Sequence, residues 1–196
     1  MIYYTTDSSE PTLANGSIYN PAAPVSISTT TCLRAAAFKS GYLPSNIDTQ
    51  TYIFPEAVLT QATNPLNGAQ IVPTGYPTTW PGGKYSGSVA GDYQVDPDIA
   101  SPSGLYGSIY AAGLIDDLKA IPSISIVVPL NQLFGASTGI YINQGQDGTE
   151  RAGSVELIDP DGIEAFHINC GVRMQGGASQ YGGGTTLDRW KSYKLS

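Results

Sequence analysis

The residues whose types and spacing suit chemistry lie late in the chain. Gly176-Gly177-Ala178-Ser179-Gln180-Tyr181-Gly182-Gly183-Gly184 is a glycine-rich stretch, and Lys191 and Lys194 follow it. Backbone N–H groups of such a loop can surround phosphate oxygens, and a lysine supplies countercharge. Gly176, Gly177, Ser179, Lys191 and Lys194 are therefore the candidate nucleotide-binding residues; the plainer reading is a hairpin loop. Gly135-Ala136-Ser137-Thr138-Gly139 fits G-x-S-x-G, but a nucleophile elbow needs a strand before it and a helix after it. Here the following Ile140-Tyr141-Ile142-Asn143 reads as a strand, and His167, the single histidine, lies inside another strand pattern as a half-exposed residue. Asp159-Pro160-Asp161-Gly162 has the look of a calcium loop, yet the fifth and twelfth positions are Ile163 and Cys170, so a β-turn explains it. Asp92, Asp96 and Asp98 are spaced so that a cluster of them could bind a cation; the plainer reading is surface acids in turns. No catalytic residue and no metal ligand set emerges. Tyr76, Trp80 and Tyr85, with Tyr93, are candidates for stacking on sugar rings.

These residues are positioned by short strands separated by turns. Ile2–Thr6, Thr30–Phe38 and Asp48–Phe54 read as strands of a small β-sandwich over 1–54. A Pro-, Gly- and Thr-rich connector covers 55–89, and its aromatics argue for a tract that packs on something. From residue 90 to 196 a β-rich lobe follows. Leu114–Ala120 is its helix candidate, with Leu114, Leu118 and Ile121 on one face. Ser123–Pro129, Gly139–Asn143, Ser154–Ile158, Ile163–Gln175 and Arg189–Ser196 read as strands, and Asn131–Phe134 as a short helical turn. The fold class expected is mainly β, with one or two short helices.

Composition agrees. Only 13% of the 196 residues are charged, while Gly numbers 23, Pro 14 and Tyr 13. A net charge of −7 without a basic patch argues against nucleic acid as a partner. No apolar run reaches membrane-spanning length, and the first residues lack the pattern of a signal peptide. Cys32 and Cys170 are far apart and read as two free thiols, although a disulfide stays open.

The phrases Ile2-Tyr3-Tyr4-Thr5-Thr6-Asp7, Glu10-Pro11-Thr12, Ile18-Tyr19-Asn20 and Thr31-Cys32-Leu33-Arg34-Ala35, with Gly41 and Ser45, resemble the fibronectin-III-associated module also found at the C-terminus of chitobiases and β-hexosaminidases. That family usually has Gly after the aspartate, where this chain has Ser8. It also has one or two strands before the segment that starts here at residue 2, so the resemblance implies missing front strands and an unpaired edge.

From about Ala90, the phrases Asp92-Tyr93, Asp96-Pro97-Asp98-Ile99, Leu118–Ser125, Leu133-Phe134-Gly135, Gly139-Ile140-Tyr141, Ser154–Ile158 and Gly171–Ser179 resemble the start of the spore-coat-protein-H (CotH) type of atypical protein kinase found in secreted bacterial proteins. The resemblance implies ATP and Mg²⁺ as requirements of the intact domain, transfer of phosphate to protein, and an extracellular or cell-surface setting. In that family the catalytic acids follow the QGGAS phrase, so none maps onto these residues; no cofactor is expected in this chain, and the rest of a parent protein is an expected partner. The alternative is a non-catalytic extracellular scaffold that binds a cell-surface protein or polysaccharide.

Overall fold

A computed structural model describes residues 1–81, 88–141, 143, 149–161, 164–174 and 193–195. The chain is mainly β. Residues 1–52 form one four-stranded antiparallel sheet from β1 (Ile2–Thr5), β2 (Ser17–Ile18), β3 (Thr31–Ala37) and β4 (Asp48–Tyr52), in the order β2-β1-β3-β4. β1 has a paired neighbour on each side: Tyr3 lies opposite Ile18 on β2 and opposite Ala36 on β3.

The turn leaving β1 is built by local side-chain bonds. The backbone N–H and the hydroxyl of Ser9 both donate to Asp7 Oδ1 (3.1 and 2.6 Å), an Asx turn. Ser8 takes φ of 66° there, in the left-handed region. The following loop closes at Gly16, which has φ of 101° and whose missing Cβ would stand 2.5 Å from Tyr4 O, so only glycine fits.

The connector holds more structure than its composition suggests. Pro55 opens α1 (Pro55–Thr60) at the position where a missing N–H costs nothing. β5 (Thr79–Pro81) and β6 (Ser88–Ala90) form a small antiparallel ribbon. Three short helices follow: α2 (Pro97–Ala100), capped by Asp96 accepting from Asp98 N, α3 (Gly107–Tyr110) and α4 (Leu114–Lys119).

The second sheet uses β7 (Ser123–Val127), β8 (Arg151–Ile158), β9 (Glu164–Met174) and β10 (Tyr193–Leu195), in the order β10-β9-β8-β7, all antiparallel. α5 (Leu130–Phe134) follows β7. One expectation is corrected at Gly139–Asn143, whose described residues form a turn and not a strand. Their backbone bonds run back to α5 and its exit: Ile140 N to Gln132 O, Tyr141 N to Leu133 O, and Gly139 N to Gly135 O (3.0, 3.0 and 2.8 Å). Gly139 permits this fold-back, since a Cβ there would sit 2.4 Å from Gly135 N. Helix before and turn after is also the wrong context for a nucleophile elbow at Ser137.

The described residues of the second unit share one apolar cluster. Val128, Ile140 and Val172 are buried together, with Leu133 and Cys170 packed against them. They cover one end of the sheet's apolar face. At the other end Ile124, Ile126, Phe166 and Ile168 are exposed.

Candidate functional site

Cross-strand partners share a sheet face, which sorts the second sheet into two unlike surfaces. Ser125 pairs with Glu156, Glu156 with His167, and Ser154 with Asn169. One face is therefore polar, and it is this face that meets the first sheet. On the other side of the seam the first sheet contributes Thr5, Arg34 and Thr49, all buried, and Thr51.

Glu156 is the centre of the contact. It is 1% exposed. Its Oε1 accepts from Thr51 N at 2.9 Å, and its Oε2 accepts a short bond from Thr51 Oγ1. Thr51 has one hydroxyl hydrogen, committed to the carboxylate, so Ser125 Oγ donates to Thr51 Oγ1 at 2.7 Å. β4 is an outer strand, and an outer strand offers free N–H groups that recruit other chains. The buried carboxylate caps one of them. Two flanking contacts extend the seam: Asn169 Nδ2 donates to Ile47 O at 3.0 Å, and His167 Nδ1 lies 3.5 Å from Asp48 Oδ1. The His167 side chain is 13% exposed, more buried than a half-exposed strand residue, and among the described residues neither its Nε2 nor the buried Ser154 Oγ has a hydrogen-bond partner.

Arg34 lies within the first sheet and is 3% exposed. Nε donates to Thr49 Oγ1 at 3.4 Å and Nη1 to Ser8 O at 3.1 Å. Among the described residues it makes no salt bridge, and burial pulls its pKa down from the ordinary arginine value, opposed by Cys32 and Glu10. Burial pushes the Cys32 thiol up, and likewise Cys170; both cysteines are free. The Ser9 hydroxyl, outweighing burial, holds Asp7 below the usual carboxylate range.

Three clefts open along the seam. One cavity of about 240 Å³ is lined by Glu10, Arg34, Asn46, Ala152, Asn169 and Cys170, among others. A second, of about 390 Å³, is lined by Asp7, Glu10, Asn15, Asn131 and Gln132. A third, more apolar and about 330 Å³, lies between Asp7, Tyr76, Ile126 and Leu133. Every one of them touches the Asp7–Glu10 turn.

Of the residues expected from sequence to bind nucleotide, Gly176, Gly177, Ser179 and Lys191 lie outside the described residues. Lys194 is on β10, opposite Arg173 on β9. Of the expected sugar-stacking residues, Tyr85 lies outside the described residues. Tyr76 and Trp80 both pack on Tyr93, with ring centroids 5.3 and 5.4 Å apart and planes at 74° and 85°. Trp80 Nε1 donates to Tyr93 Oη, which donates to Pro77 O (2.9 and 2.7 Å). Tyr76 continues to Phe134 and Phe134 to Tyr141, so the aromatics form one tilted file joining connector to second unit. Such edge-to-face contacts are a favourable packing mode for rings, and they leave Tyr76, Trp80 and Tyr93 without a common flat surface.

Sequence reasoning did not single out Glu156, Thr51, Ser125, Asn169 or Arg34. A charge inside each of two otherwise apolar strands, Arg34 in TCLRAAA and Glu156 in SVELI, was the available signal. Among the described residues no three His, Cys, Asp or Glu side chains are grouped to hold a metal, and no helix is long and apolar enough to cross a membrane.

Residues 1–52 match the family model described as Fn3 associated. No curated protein and no solved structure matches the chain.

Proposed function

We propose that the chain supplies the nucleotide-covering side of a CotH-like phosphoryl-transfer domain, with the Fn3-associated module braced against it, in a bacterial extracellular or cell-surface protein. The observation that carries this reading is the connection between β9 and β10. These strands are antiparallel neighbours, and the residues joining them in sequence hold Gly176–Gly184 and Lys191. A glycine-rich connection between adjacent antiparallel strands, with a lysine after it, is the arrangement by which kinases cover nucleotide phosphates. Mg²⁺ enters this proposal with the nucleotide, because the described residues offer no metal-ligand group. In the resemblance the acids that hold the metal follow the QGGAS phrase, and none of them maps onto the residues named here.

The test is phosphate transfer from radiolabelled ATP, with Mg²⁺, to an acceptor protein. The chain together with any further coding sequence of its gene, the extended protein, is expected to label the acceptor, and the double variant Lys191→Ala/Lys194→Ala to lose at least about tenfold in kcat/KM. Residues 1–196 alone are expected to give no labelling. Absence of transfer and of ATP binding in the extended protein rejects the reading.

The polar cavities of the seam favour a second reading, a non-catalytic extracellular scaffold that binds a polysaccharide or a surface protein. It predicts an extended protein that is inert toward ATP.

A further inference from the structure

The cavity beside Arg34 has the makings of a ligand site independent of phosphoryl transfer. Arg34 is 3% exposed, and of the five N–H donors of its guanidinium two are matched among the described residues, by Thr49 Oγ1 and Ser8 O. A buried cation is stable only when its charge and donors are matched. No described carboxylate comes within salt-bridge distance of it. Yet Arg34 lines a cavity of about 240 Å³ at the seam. The cleft is open to solvent and of a size to admit one sugar-sized ring.

The rest of the lining narrows the ligand. Asn46 and Asn169 bring amides, and Asn169 uses Nδ2 on Ile47 O, which leaves its Oδ1 to accept from a hydroxyl. Glu10, exposed at the rim, also accepts from hydroxyls and repels a second negative charge. Nε and Nη1 are engaged, which leaves Nη2 to make a charge-assisted bond to a carboxylate. We propose that this cavity binds a monoanionic sugar acid, its carboxylate on Nη2 of Arg34 and its hydroxyls on Asn46, Asn169 and Glu10. Glu10 disfavours a phosphate dianion at the same place.

Sodium D-glucuronate, D-glucose and inorganic phosphate are titrated separately into the ¹⁵N-labelled chain. Glucuronate is expected to bind with a Kd of roughly millimolar order and to shift the amides of Ala152, Gly153, Asn169 and Cys170. Glucose, lacking the carboxylate, leaves them unmoved, and phosphate binds at least about fivefold more weakly. Arg34→Met abolishes binding. Because that variant can unfold, Ala152→Phe is the companion: Ala152 is exposed on the cavity wall, so the ring fills the space and weakens binding about tenfold. Glu10→Gln narrows the preference against phosphate by about two- to fivefold. An oligouronate arm tells a free acid from a chain terminus: equal affinity means that the cavity takes a terminal residue as well. Equal responses to glucose and glucuronate, glucuronate shifts unchanged in Ala152→Phe, or no shifts at all (a water-filled cavity) overturn the proposal.

Discussion

At residue 8 the backbone turns into the left-handed region with a serine in place. A side chain there costs about 1–2 kcal/mol against right-handed geometry, and glycine relieves it at some entropic cost in the unfolded chain. Ser8→Gly is expected to stabilise the protein by about 0.5–1 kcal/mol, read from urea unfolding midpoints at unchanged m. Unchanged or lowered stability would mean that the serine hydroxyl beside Cys32 matters more than the strain. Glu156 is the opposite case, a side chain whose loss is expensive. Glu156→Ala leaves the partly buried Thr51 N without its acceptor and should cost about 2–4 kcal/mol; Glu156→Gln keeps one acceptor and should cost about half as much. Thr51→Val combined with Glu156→Ala should cost clearly less than the sum of the two single changes, because both remove the same bond. Strict additivity would show that the two side chains are not coupled.

Among the elements, those with a strong local signal were legible in the sequence. β3 and β4 carry period-2 patterns, and Leu114, Leu118 and Ile121 mark α4; all three lie within a residue or two of where they were expected. α1 lay hidden in the expected connector, because its six residues are too few to show a period. The failure at Gly139–Asn143 has a tertiary cause. IYIN has strand propensity, but two glycines let the backbone fold onto α5, and α5 supplies the bonds a neighbouring strand would have given. The seam was less legible than the strands. Alternation tells which residues share a face, but not that a polar face is the covered one, and so Glu156 and Arg34 passed as ordinary charges. The same inversion leaves Ile124, Ile126, Phe166 and Ile168 exposed on the apolar face, and a contiguous patch of that kind binds apolar probes. Ile124→Thr/Ile168→Thr should lower the fluorescence of bound ANS while changing stability by less than about 1 kcal/mol, since both side chains are already largely in water. Undiminished ANS binding would locate the apolar site elsewhere.

For the whole molecule, the alkaline limb of stability tests how firmly the two sheets and the connector are joined. Burial raises Tyr76, Tyr93 and Tyr141, all in the aromatic file, and Cys32 and Cys170 around the seam and core. A group whose pKa is higher folded than unfolded contributes stability that is complete below its unfolded value and lost as pH rises through the folded one. Stability should therefore hold up to about pH 8 on this account, then fall through the ordinary thiol value of 9.0 and the tyrosine value of 10.0. Chemical denaturation from pH 7 to 11 checks it, and a flat or rising profile would mean that these groups titrate freely. Glu156 has one more consequence, which concerns time. It is 105 residues downstream of Thr51. A ribosome adding about 5–20 residues per second needs roughly 5–20 s to cover that distance. Throughout that interval the first sheet has emerged with its outer rung open and its partner still unwritten. Crowded polysomes bring nascent copies of that rung side by side, so the hazard of this fold is greatest before the polypeptide is finished.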